Sequence, residues 1–535
     1  MHRRPCRQAP FPLDSALRAG IAGLTLLAAA LAIAGCAGGA PGPVPQREEP
    51  TLAAAWPQEQ AVSGPARADC DLPAGPVAPG GDFVFAVFDS VRPRLAPVPR
   101  NRAERVVFAQ LYETLVRVGC DGTASPGLAE HWSCGADSSI WVFTLREEAK
   151  TWDGQRVTAL DVWRSWQENR AAPVDDGGSP WNWFDPRTGS VSVLDTRRLA
   201  VRLPEPQRRF PLLLAHPATA VAVRRAGWTW PLGSGPCRLT ATDGAPRPLL
   251  RCRPNPDHPR APTWDSLVFR VLPGRLAAES AAAEAPPDLV WTRDLAAVQR
   301  FLARPEWRAR ALPWDRTLLL VCPPALARDR AAAWSAAAAG LVPERDVVTV
   351  SARRWEALTL PEAAAQRCPQ LSGPVAAARG DVGEALAATL AASPVTVAFP
   401  QDDPAARDLA ARLVQLAGGP ARAVPLSAAA AATALHRGEA CALVVPVPQS
   451  YADGCLQMAA LLGRAAWLQD AALTATTADI DQALIANNLA HPLAVTRAWL
   501  LTRDGLDDEL SGVTMLYDAC PDLAGLGRRD AAGSE

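Results

Sequence analysis

Apolar residues recur in two rhythms along the first part of this chain. Val107, Leu111, Leu115 and Val118 fall at helical spacing and predict a helix with one apolar face. A turn at Asp121-Gly122 and a short helix running toward Trp132 follow it. Trp141, Phe143 and Leu145 alternate with Ile140, Val142 and Thr144, which predicts a strand. Asp153-Gly154 supplies a tight turn, and Thr158 with Asp161 forms a capping-box start for a helix carrying Val162 and Trp163. Residues 191–203 predict a β-hairpin turning at Asp195-Thr196, and Trp264–Leu272 predicts a strand, followed by a helix and a strand at Pro287–Val290. From about residue 313 strands and helices alternate. Strands are expected at Thr317–Val321, Pro394–Phe399, Arg422–Pro425 and Cys441–Val445, with helices at Ala405–Leu416 and Ala428–His436. Such alternation argues for an α/β lobe with a partly parallel sheet.

The N-terminus carries a different signal. Arg3, Arg4, Arg7 and Arg18 precede an apolar run from Ala19 to Ile33, which ends Ile33-Ala34-Gly35-Cys36. A basic start, a short apolar core and small residues before a cut describe an export signal. The run is shorter than the ~20 residues that a spanning helix needs. Ile-Ala-Gly-Cys resembles a bacterial lipobox, which implies that Cys36 is lipidated and becomes the first mature residue, anchoring a body that faces the periplasm or the extracellular side. Residues 37–79, rich in Pro, Ala and Gly, read as a flexible tether.

Charge excludes one class of partner. The formal net charge is −1, and removing residues 1–35, with their four Arg and Asp14, takes it to −4, so no basic field for nucleic acid exists. Lys150 is the only lysine among 54 basic residues. Of twelve cysteines, ten remain once Cys6 and Cys36 are set aside, an even number in an oxidising compartment, where disulfides are expected. Cys237 and Cys252 flank an Asp243-Gly244 turn and are expected to pair across a hairpin; Cys120 and Cys134 are a second expected pair. No cysteine or histidine spacing suits a metal site.

The stretch from Leu111 to Trp166 resembles the opening of the family-5 extracellular solute-binding proteins of ABC importers, the oligopeptide, dipeptide and nickel-chelate group. The resemblance rests on Tyr112-Glu113, Asp121-Gly122, Pro126-Gly127-Leu128-Ala129, Trp132, Phe143-Thr144-Leu145-Arg146, Asp153-Gly154 and Thr158–Val162. Gly233-Ser234-Gly235-Pro236, Asn255-Pro256-Asp257 and His491-Pro492-Leu493 extend it. It implies a two-lobed periplasmic-binding-protein-like α/β fold of the large type-II kind, with an extra subdomain in the first lobe. Lobe I is expected over 80–312 and 489–535, with the subdomain at about 100–190, and lobe II over 313–488. It also implies a monomer that captures a small-molecule or peptide solute between the lobes for a partner permease and ATPase, without a cofactor. A surface lipoprotein of the same fold, acting as sensor, chaperone or adhesin, is the alternative.

Catalysis finds no support. The six histidines are scattered, and Ser234 lies in Leu-Gly-Ser-Gly-Pro, which lacks the nucleophile-elbow pattern. Since the family segment reads similarly, Ser234 is expected in a turn at the base of the cleft. Gly80–Val87 resembles the family's first strand, and ligand contacts are expected at Phe88-Asp89-Ser90 after it, where a carboxylate can pair with a cationic group, the competing reading being a solvated loop acid. The loop aromatics Trp181 and Trp183 suit a cleft wall, the competing reading being that they fold onto their own domain. Tyr451 and Asp453 follow a second-lobe strand, where the competing reading is a solvated polar loop. Peptide-binding family members carry an aspartate for the peptide amine near there. Here Ser450 falls at that position unless Asp453 replaces it, which weakens the peptide reading.

Overall fold

Two long antiparallel strands carry the architecture. The computed structural model describes residues 77–172, 179–186, 189–243, 249–272, 286–360, 368, 396–418, 420–439, 441–470, 476–503, 510–511 and 514–529. The expected export signal, the expected tether with Cys36 as far as residue 76, and the helix expected after Leu272 lie outside the described residues, whereas Val77–Ala78, at the end of the expected tether, is a strand paired with Arg528–Arg529. In chain order the first half supplies β1 (Asp82–Val87), α1 (Arg102–Leu111), β2 (Ala129–Cys134), β3 (Ile140–Leu145), α2 (Ala159–Arg170), β4 (Val191–Val193) and β5 (Arg198–Arg202). There follow α3 (Phe210–Leu213), β6 (Cys237–Asp243), β7 (Leu249–Pro254), β8 (Ser266–Val271), β9 (Leu289–Thr292) and α4 (Leu295–Leu302). The second half supplies β10 (Trp307–Val321), α5 (Arg328–Ala339), β11 (Thr396–Pro400), α6 (Pro404–Ala417) and β12 (Arg422–Leu426). It closes with α7 (Ala428–Arg437), β13 (Ala442–Pro448), α8 (Gly454–Leu462), α9 (Thr477–Ala486) and β14 (Ala490–Arg503).

One continuous sheet has the order β12-β11-β13-β10-β14-β9-β1-β8-β7-β6. Strands β12, β11 and β13 are parallel at one end, and β9, β1 and β8 are parallel toward the other. The antiparallel pair β10 and β14 joins these two regions. Leu312, Ala498 and Leu500 belong to the first-lobe core with Phe83, Phe85 and Phe269. Leu318, Leu320, Leu493 and Ala494 belong to a second-lobe core with Trp334 and Leu409. The two lobes therefore divide within β10 and β14. The register of that pair shifts between Ala311 and Trp314 and again before Arg316, so the strands are irregular where they cross between lobes. Arg353 and Arg497 stack on Trp314 there, with guanidinium-to-ring distances of 4.6 and 4.4 Å.

The extra subdomain forms its own four-stranded sheet, β2-β3-β5-β4. Trp141, Phe143 and Leu145 are buried, as the alternation of β3 predicts. The Thr158/Asp161 capping box starts α2, which buries Trp166 against Trp181 and Phe184. Two local expectations fail. The helical spacing of Val107 and Leu111 does not continue to Leu115 and Val118: α1 stops at Leu111, Tyr112 turns extended, and Val116–Val118 is a strand paired with Ala124–Pro126. The expected short helix before Trp132 is instead β2, with Trp132 opposite Phe143, because cross-strand aromatic packing outweighs the local pattern.

Candidate functional site

The carboxyl ends of β1, β9 and β11 converge on a cavity of about 670 Å³. Phe88 and Asp89 follow β1, Arg293 and Asp294 follow β9, and Asp402 and Asp403 follow β11; all six line it. Arg100, Asn101 and Arg102 from the start of α1 and Arg316 from β10 line it too. Its walls thus come from both sides of the β10–β14 crossing. Ligands of open α/β sheets gather at such strand ends, and the volume lies within the range typical of small-molecule sites.

Charge in this cavity is organised around arginine. Asp315, from the irregular part of β10, has 1% of its side chain exposed and accepts from Arg102 at 2.5 Å and from Arg293. Arg316 pairs with Asp403 at 2.5 Å, and that aspartate also caps α6 by accepting from the Ala406 N–H. Burial pulls the Arg293 guanidinium down to about 10. Asp315 opposes this shift, and Arg316 and Arg102 add to it. Trp291 lies between two of these groups, with Arg102 at 5.9 Å and Arg293 at 5.8 Å from its ring centre.

A second buried centre holds the turn segments together. Glu113 accepts both amino groups of Arg146 at 3.0 Å, the Ser234 hydroxyl at 2.8 Å, and lies 2.9 Å from His258 Nε2. Burial alone would raise this carboxyl, but the His258 hydrogen bond and the Arg146 charge hold it at about 2. Ser234 is buried in the turn, where a Cβ on neighbouring Gly235 would come within 2.6 Å of the Leu111 carbonyl carbon. Only glycine permits that approach. The Ser234 hydroxyl is thus committed to Glu113 as a donor, and the turn packs on the end of α1.

The expected contact residues separate into groups. Phe88 and Asp89 face the large cavity. Ser90 lies beside it, its carbonyl accepting from Asn101 at 2.9 Å. Trp181 is not a cleft wall: it is buried against Trp166 and Phe184 inside the subdomain, so the reading that it folds onto its own domain prevails. Trp183 packs edge-on against Tyr451 at 5.8 Å, and Tyr451 is buried against His216 at 5.3 Å. Asp453 is buried rather than solvated. It caps α8, accepting from the Leu456 N–H at 3.0 Å, and forms an ion pair with Arg209. Burial pushes its carboxyl up, with Arg209 and the Leu456 N–H opposing. Tyr451 and Asp453 therefore join the second lobe to the first-lobe subdomain and do not share the large cavity with Asp89. A smaller pocket of about 70 Å³ between them and α1 is lined by Tyr112, Glu113, Ser450 and Tyr517.

The disulfide expectations are corrected. Cys237 and Cys252 are free thiols, each fully buried. The pairing register lies about one residue later than a directly opposed Cys237–Cys252 pair would require, so Cys237 faces Pro254 and Cys252 faces Leu239. A diagonal pair stands roughly 7 Å apart, against the ~3.8 Å that a bridge needs between Cβ atoms. Cys134 is a free thiol, whereas Cys120 is disulfide-bonded and so not to Cys134. A Cys368–Cys455 disulfide, 87 residues apart, is one that spacing did not suggest. Among the described residues no three His, Cys, Asp or Glu gather to hold a metal ion, and no helix is long and apolar enough to cross a membrane.

A two-lobed α/β fold with a cavity at the carboxyl ends of its strands defines a periplasmic-binding-protein-like molecule. Residues 123–303 match the family profile of bacterial extracellular solute-binding proteins, family 5, middle region. The periplasmic oligopeptide-binding protein OppA of Escherichia coli (strain K12) is 31% identical over 160 residues, which covers 26% of this chain and 28% of that one. The alignment thus spans little more than a quarter of the curated relative. Two solved structures share the fold over nearly their whole length. The clavulanic acid biosynthesis oligopeptide binding protein 2 has a TM-score of 0.63 at 20% identity, covering 88% of this chain and 99% of that one. The Escherichia coli murein tripeptide binding protein MppA has a TM-score of 0.60 at 18% identity, covering 85% and 99%. Residues 123–303 are thus similar to the middle region of family-5 extracellular solute-binding proteins, and the fold is shared over 88% of the chain.

Proposed function

We propose that this protein is the solute-capturing component of an ABC-type importer, not an enzyme. It binds a peptide-like or other polar solute in the interlobe cavity, closes over it at the β10–β14 crossing, and delivers it to permease and ATPase subunits. The observation that carries this reading is the cavity of about 670 Å³, whose walls come from both lobes at the ends of β1, β9 and β11. The relatives named above, peptide-binding proteins by name, support it. The monomeric body is held to the cell envelope by a lipid on Cys36, a reading supported by the Ile33-Ala34-Gly35-Cys36 sequence.

Native mass spectrometry of the exported protein, followed by equilibrium dialysis with the solute it releases, tests the capture reading. A retained solute that rebinds one per chain is expected. A protein that retains nothing and binds no transport-sized solute would sink it. For the anchor, Cys36→Ser should release the protein from membranes; a variant that fractionates with membranes at the wild-type mass refutes lipidation.

A further inference from the structure

We infer that the interlobe cavity takes a compact solute carrying at least two oxyanion groups, carboxylate or phosphate, bound by its arginines against an apolar wall of Phe88 and Trp291. This rests on the solute-capture reading above and narrows it to a ligand class.

The first ground is charge. Six arginines line the cavity against four aspartates, with Asp315 buried behind Arg102 and Arg293 as a fifth acid. The second is that two of the four aspartates are engaged. Asp403 serves Arg316 and caps α6, and Asp294 caps α4 by accepting from the Ala296 and Ala297 N–H groups. A cationic solute would meet chiefly Asp89 and Asp402, both exposed at the cavity's edge. The third is donor geometry. A guanidinium presents five N–H donors in a planar fork that matches carboxylate and phosphate oxygens two at a time. Asp315 is shared between Arg102 and Arg293, and Asp518 stands 3.6 Å from Arg102 as a further partner. Burial lowers the Arg293 guanidinium and two arginines add to that shift, which is the electrostatic signature of cations held close together. A fourth ground reinforces these: α4 and α6, of 8 and 14 residues, both begin at the cavity, so their positive ends face the same space. An oxyanion entering there relieves the mutual repulsion of Arg102, Arg293 and Arg316. At the other lobe contact, Asp453 is engaged by Arg209 and is not available to receive an amine.

The test is thermal-shift screening of the full exported protein, in low salt, against three pools. The first holds di- and tricarboxylates and phosphate esters, the second neutral and zwitterionic tripeptides including tri-alanine, and the third cationic tripeptides including tri-lysine. Titration calorimetry of the hits follows. Hits confined to the first pool are expected, weakening as salt is raised. The variant Arg300→Gln/Arg407→Gln changes two exposed cavity arginines and leaves the core untouched; it should bind the first-pool hits about tenfold more weakly for each of the two guanidinium groups that engages the solute. Arg293→Lys keeps the charge and loses the fork, and should also weaken them. Hits only in the second or third pool overturn the oxyanion inference and leave solute capture standing. Hits in no pool overturn both.

Discussion

Arg102 on α1 and Asp315 on β10 meet at 2.5 Å, tying the leading helix of the first lobe to the strand that crosses into the second. Arg293 shares the same carboxylate, and Asp518 lies 3.6 Å from Arg102 as its second acid, so Arg293 depends on Asp315 more than Arg102 does. Asp315→Ala would leave both without it. Breaking a buried pair from one side typically costs ~3–5 kcal/mol, and with Arg102 and Arg293 23% and 19% exposed, water takes up some of that loss. The expected loss is about 3 kcal/mol in urea unfolding. A loss below about 1 kcal/mol would show that the pair is replaced by solvent.

Glu113 makes the acid limb of stability steep. Its folded-state carboxyl is at about 2 against an ordinary value of 4.5. A depressed carboxylate contributes stability that is present above its unfolded value and is lost as pH falls through the folded one. The window is therefore from about 4.5 down to about 2. Glu113→Gln should be less stable at neutral pH, since Arg146 loses its charged partner, and should show a shallower decline across that window. Parallel slopes for wild type and variant in acid unfolding would contradict the assignment.

Asp481 has the opposite sign. It is buried on α9, and burial pushes its carboxyl up to about 6, opposed by the Leu358 N–H that it accepts. A raised carboxyl favours the folded state when protonated, so its penalty grows as pH rises through about 4 to about 6 and is fully present above that. Asp481→Asn should raise the melting temperature at pH 7.5, by an amount corresponding to at most about 3 kcal/mol, and change little at pH 4. A variant no more stable than wild type at pH 7.5 would sink the argument.

The thiols give a direct check on the packing. Cys322, Cys441 and Cys520 are buried with their thiols pushed up to about 12, and burial raises Cys237 and Cys252 too. Thiolate is the reactive form, so all five should resist iodoacetamide at pH 8 in the native protein and react once it is unfolded. Non-reducing peptide mapping should find Cys368 linked to Cys455. A Cys237–Cys252 cross-linked peptide would require a different hairpin register.

What was readable in the sequence was local. The Thr158/Asp161 capping box, the alternation of β3 and the strand–helix rhythm of the second lobe each depend on neighbours a few residues apart, and each formed as expected. The misreadings came where distant partners decide. Trp132 takes a strand because Phe143 lies opposite, and α1 ends at Leu111, whose carbonyl accepts from the Gly235 N–H. The cavity arginines were invisible for another reason. Arginine supplies nearly all positive charge here, so Arg102, Arg293 and Arg316 look like any others until β9, β10 and α1 bring them together around Asp315. Conversely, Asp453 read as a ligand group because its position follows a strand end, but the same position caps α8.

The Arg209–Asp453 pair, with Tyr451 packed on His216 and Trp183, fastens the second lobe to the first-lobe subdomain away from the main cavity. Asp453 is buried and Arg209 is 38% exposed. The exposed partner can be removed without opening a cavity in the core, while the acid left behind lacks its cation. Arg209→Ala should therefore favour separation of the lobes, since an open state hydrates the Asp453 carboxylate that a closed one strands. Small-angle scattering of the ligand-free variant should show a larger radius of gyration than wild type. Because burial already pushes this carboxyl up and Arg209 opposes that, removing Arg209 raises it further. The difference from wild type should then shrink as pH falls and the acid is neutralised. A radius of gyration unchanged at neutral pH, with the variant fully folded by circular dichroism, would show that Tyr451 packing alone holds the lobes together.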